Sequence, residues 1–94
     1  MAEVTVVYWR DIPAQVIAGR GRGAAKVALP ERFEQAIDRA AMRGGLAGTD
    51  AYLAEWRKVA VATEETAETF ARRIEAEYGP ERLRALIEAD GREA

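Results

Sequence analysis

Tyr8, Trp9 and Arg10, followed by Asp11, set two large aromatic rings beside a charge pair, and Trp56–Arg57 repeats the aromatic–arginine pairing later in the chain. Such clusters recur at interaction hot spots, where a ring fills a pocket and a guanidinium recognises a carboxylate. The plainer reading is that Trp9 and Trp56 fill the core while their arginines cap carboxylates. The first reading makes Tyr8, Trp9, Arg10, Trp56 and Arg57 a candidate interaction surface; the second makes the two tryptophans core residues.

A second constellation is Gly19-Arg-Gly-Arg-Gly23, followed by Lys26. Guanidinium groups on a glycine turn can hold an oxyanion in two-pronged fashion, so Arg20, Arg22 and Lys26 are the candidate anion site, against the simpler reading of a solvated loop tip. Gly19, Gly21 and Ala24 also match a loose form of the dinucleotide fingerprint, which requires a helix directly after the glycines. The residues up to Pro30 alternate like a strand and leave no room for one.

Other chemistry is sparse. The chain has no histidine and no cysteine, which removes imidazole bases, thiolates, disulfides and nearly every structural zinc geometry. Carboxylate pairs such as Glu64 with Glu68, or Glu75 with Asp90, could serve acid–base work or hold a hard cation. Nothing separates them from ordinary helix faces, where Arg73 and Glu77 at i,i+4 have the same reading. No catalytic residue, no metal ligand and no cofactor ligand is expected.

These side chains need elements to position them. Glu3–Trp9 is rich in β-branched and aromatic residues on both faces, as in a strand inside a sheet. Arg10-Asp-Ile-Pro13 breaks it, and residues 14–18 and 25–29 follow as the second and third strands of a meander, joined by the glycine loop. Pro30 suits the first position of a helix running to Arg43, with Gly44-Gly45 as its stop. Thr49 and Asp50 offer caps for a short helix over 51–57. Residues 58–62 alternate, as an edge strand or an extended connection. Thr63 is the expected cap of a third helix carrying Glu64 and Glu65 in its first turn and Ala67, Phe70, Ala71, Ile74 and Tyr78 as its apolar stripe. Gly79-Pro80 opens a last helix with Leu83, Leu86 and Ile87 buried, ended by Asp90-Gly91. Strands first and helices afterwards predict an α+β fold: a small antiparallel sheet of three or four strands with about four helices packed on one face. Residues 1–91 are expected to form one domain, with 92–94 as a frayed tail.

Composition bounds the partners. Of 94 residues, 49% are hydrophobic and 32% charged, and the net charge is −2; this is a globular mix, far from the signature of disorder. Residues 1–30 hold four Lys/Arg against two Asp/Glu, and residues 31–94 ten against fourteen. That mild asymmetry falls short of the basic stripe of a nucleic-acid binder. The start lacks the basic and apolar regions of a signal peptide, and no apolar stretch approaches the roughly 18 residues of a membrane span. A cytoplasmic protein, without membrane association, is the expectation. Oligomeric state stays open: exposed sheet edges would permit a homodimer, and Lys26 and Lys58 would discourage one.

The stretches Val4-Thr-Val-Val-Tyr-Trp-Arg-Asp-Ile-Pro-Ala-Gln-Val-Ile-Ala18, Arg32-Phe-Glu-Gln-Ala-Ile-Asp-Arg-Ala-Ala-Met42 and Gly48-Thr-Asp-Ala-Tyr-Leu-Ala-Glu-Trp-Arg57 resemble the short bacterial "virulence factor" domains, over approximately residues 3–87. That label defines no biochemical activity and assigns no catalytic residue. The resemblance implies an accessory role in one-carbon metabolism, beside folate and corrinoid methyl-transfer enzymes. Taken together, the expectation is a non-catalytic accessory domain that binds another protein through Tyr8, Trp9, Arg10, Trp56 and Arg57. The alternative is an oxyanion- or nucleotide-binding module, or an enzyme subunit, whose Arg10, Arg20, Arg22 and Arg57 converge on one concavity. These readings differ in whether a tryptophan is exposed and in where the arginines point.

Overall fold

The computed structural model describes residues 3–19 and 24–92. The elements run β1 (Glu3–Trp9), β2 (Ile12–Ala18), β3 (Ala25–Ala28), α1 (Glu31–Arg43), α2 (Asp50–Ala54), β4 (Trp56–Ala62), α3 (Ala67–Glu77) and α4 (Pro80–Glu88). The strands form one antiparallel sheet in the order β3-β2-β1-β4, so the meander is present and β4 returns to β1's free side. This is the α+β arrangement expected from strands followed by helices.

β1 is apolar on both sides because it is flanked by strands and covered on both faces near its end. Val4, Val6 and Val16 are fully buried on one face, in a cluster with Ala67, Ala71 and Ile74 of α3. Val7 and Trp9, which point the other way, are buried too. Farther from that end the second face is left half-buried or exposed at Thr5, Ile17, Lys58 and Ala60. The helices therefore cover the centre of one face of the sheet and only the Trp9 end of the other.

Three boundaries differ from the sequence expectation. Pro13 lies inside β2 rather than before it. The register steps at this point, Val7 facing Gln15 while Tyr8 faces Pro13, so Ala14 is a bulged residue and its carbonyl accepts from Leu29 N (3.2 Å) instead. A bulge tolerates a residue that cannot donate to the ladder. The second helix ends at Ala54, not Arg57: Trp56 and Arg57 belong to β4, paired with Trp9 and Tyr8. Burying an aromatic pair across two strands outweighs one further turn of a short helix. The third helix is capped by Thr66, whose hydroxyl accepts from Thr69 N (3.1 Å), whereas the Thr63 hydroxyl accepts from Glu65 N (3.1 Å) in a tight turn before it. Glu65 thus precedes the helix and pairs with Arg73.

Candidate functional site

Trp9 decides the fate of the first constellation. It is 0% exposed, its indole N–H donates to Tyr52 O (2.9 Å), and its ring lies 5.7 Å from that of Tyr52. It has no surface to offer a partner and is a core residue. Arg10, at φ 55 in the turn after β1, lies 5.0 Å from the Trp9 ring centroid. Its Nε donates to Glu55 Oε2 (2.9 Å) and its Nη1 to Asp90 O (2.7 Å). With 13% of its side chain exposed, Arg10 ties the β1–β2 turn to the end of α4.

Register separates the remaining three. Tyr8 and Arg57 are cross-strand partners on the α3 side; the guanidinium sits 4.8 Å from the phenol ring, donates to Arg10 O (2.9 Å) and pairs with Asp11 Oδ1 (3.0 Å). With Asp11, Val59 and Tyr78 they line a shallow cleft. Burial raises the Tyr8 pKa; Arg57 opposes this, while Glu77 and Asp11 reinforce it. Trp56 stands on the opposite face, beside Trp9.

There Trp56 lines a groove of about 270 Å³ with Tyr52, Val7, Ala14, Leu29 and Ile37, and Glu34 and Asp38 of α1 bound it. Trp56 and Tyr52 meet edge to face at 6.1 Å. α2 supplies Tyr52 because Thr49 caps it, accepting from Tyr52 N (3.3 Å). The Tyr52 phenol pKa is raised by burial first, then by Asp38 and, less, by Glu34, against a hydrogen bond from Trp56. An aromatic wall over an apolar floor, with two carboxylates at the rim, suits an apolar side chain that carries or adjoins a positive charge. Leu53, 65% exposed, extends the apolar surface of α2.

Of the second constellation, Lys26 is not among the residues that line this groove. Arg20 and Arg22 lie outside the described residues. Gly19 leaves β2 at φ 86 and β3 begins at Ala25, so a strand follows the glycines where a dinucleotide site needs a helix. Lys26 lines a cleft with Arg72, Glu68 and Glu75, two charges of each sign rather than a cationic cluster. Among the described residues no group of three or more acidic side chains is placed to hold a metal ion. Glu34 and Asp38 were the residues that sequence reasoning missed. Their i,i+4 spacing, beside the apolar Ile37, was the available signal.

The fold and groove define a small α+β domain with an aromatic-lined groove beside its sheet. The chain belongs to the virulence factor family, whose model, described as "Virulence factor", matches residues 7–87. No curated protein and no solved structure matches it. Among the described residues no helix is long and apolar enough to cross a membrane.

Proposed function

We propose that this is a non-catalytic accessory domain that binds a partner protein through the Tyr52–Trp56 groove, taking from it an apolar side chain flanked by lysine or arginine. The observation that carries this reading is the half-buried Trp56 beside Tyr52, above Val7 and Ile37, with Glu34 and Asp38 at the rim. Half-buried aromatics in an apolar depression are what hot spots are made of, and rim carboxylates select the partner's charge and speed its approach. A finer reading, carried by family resemblance alone, is that the partner is a folate- or corrinoid-dependent methyl-transfer enzyme. The alternative concavity built from Arg10, Arg20, Arg22 and Arg57 loses support, because Arg10 and Arg57 are engaged by Glu55 and Asp11.

The test is affinity capture from the native cell extract with wild-type protein, with Glu34→Lys/Asp38→Lys, and with Lys26→Ala/Arg72→Ala as a control on a different cleft. Both groove positions are exposed, so the fold is expected to survive, as circular dichroism would verify. A stoichiometric partner should be retained by the control and lost by the groove variant, and raised salt should weaken its binding. Retention by the groove variant, or no partner at all, would refute the proposal.

A further inference from the structure

α1 carries charges of opposite sign on different sides. Glu34 and Asp38 border the aromatic groove, whereas Arg32 and Arg39, about 100° or more round the helix, border a second groove against α4. That groove, of about 190 Å³, is lined by Arg32, Arg39 and Arg84 at its margins and by Ala36, Leu83 and Ile87 among its apolar residues.

Three guanidinium groups gathered in one groove repel each other unless carboxylates neutralise them. Among the described residues, Arg32, Arg39 and Arg84 form no ion pair, although Arg10, Arg43, Arg57, Arg73 and Arg92 all do. Arg32 is held in place: its Nη2 donates to Glu75 O (2.9 Å), and its guanidinium lies 4.9 Å from the Phe33 ring centroid. Its Nε is nevertheless buried without an acceptor.

We propose that the α1–α4 groove binds a small phosphate monoester, its phosphate held by Arg32, Arg39 and Arg84 and its apolar body resting on Ala36, Leu83 and Ile87. A phosphate monoester carries about −1.5 to −2 charges at neutral pH and three terminal oxygens that accept two-pronged contacts from guanidinium groups. A single carboxylate offers less charge and fewer acceptors. The groove's volume has room for a phosphate and a ring-sized body but not for a peptide run, which argues for a small molecule. This site is independent of the aromatic groove, on the other side of α1.

The experiment is an NMR titration of the full chain with phenyl phosphate at low salt, alongside inorganic phosphate and benzoate. Phenyl phosphate should saturate below about 10 mM, moving amide signals of α1 and α4, and should bind several-fold more tightly than either comparison. Arg39→Ala/Arg84→Ala should weaken it at least about tenfold, whereas Lys26→Ala/Arg72→Ala, with the same loss of charge elsewhere, should leave it within about twofold. Unsaturated or scattered shifts would overturn the proposal. So would equal weakening by the two double variants, or benzoate binding as tightly as phenyl phosphate.

Discussion

Tyr52 is the residue whose ionisation the groove controls most directly. Burial and the nearby Asp38 and Glu34 favour its neutral phenol, and burial does the same for Tyr8. Both folded pKa values therefore lie above the unfolded value of about 10. A group whose pKa is raised on folding holds more proton in the native state, so its contribution is complete below about pH 10 and is lost as pH rises through the folded values. Urea-denaturation midpoints should thus decline above pH 10, and Tyr52→Phe and Tyr8→Phe should each flatten the decline. Tyr52→Phe preserves the ring stacked near Trp9 and Trp56 and the backbone carbonyl that receives the Trp9 N–H. A decline unchanged in both variants would refute the assignment. Residue types in the sequence pointed to Trp9 and Trp56 as a pair, but not to which of them is covered. The two are cross-strand partners on one face, so the difference comes from strand order, β1 lying inside the sheet and β4 at its edge. Trp9 falls against α2 and the core, and Trp56 at the edge of the groove.

At the scale of elements, periodicity and punctuation were enough for β1, α1 and α4. Their patterns are strong and their ends carry Pro30, Gly44 and Pro80. Between them, competing signals were local and nearly equal. Thr63 and Thr66 both have capping chemistry, and the Thr66 hydroxyl makes the cap bond to Thr69 N while the Thr63 hydroxyl is taken by Glu65 N in the turn before it. Thr66→Ala should therefore destabilise the protein by about 1 kcal/mol, as measured by chemical denaturation. Thr63→Ala, which removes only a bond across a turn, should cost less than half of that. Equal losses would mean that the helix begins earlier. The strand β4 was ambiguous for a different reason. Its small alternating residues fit an extended connection as well as a strand, and only pairing with β1 along all seven positions, Glu3↔Ala62 to Trp9↔Trp56, distinguishes them.

For the whole molecule, α1 is the divider. One side presents carboxylates to an aromatic groove, and another presents arginines to α4. In sequence these charges intermingle, so neither groove was legible until the helix was rotated into place against β2 and α4. The fold's other long-range junction joins residue 11 to residue 91, Asp11 N donating to Gly91 O (2.8 Å) while Arg10 reaches Asp90 O. Gly91, at φ 85, passes so close to Trp9 that an added Cβ would lie 2.9 Å from the ring. The seal over the first tryptophan is thus made by nearly the last residues described. During synthesis those residues follow the β1–β2 hairpin from the ribosome, so the hairpin emerges with its largest side chain uncovered and stays exposed until they are made. Arrested nascent chains ending at residue 88, followed by a linker that fills the exit tunnel, should show quenchable Trp9 emission in a Trp56→Phe background. Chains carried through residue 92 with the same linker should not. Equal protection in both would mean that the hairpin closes without its final clasp.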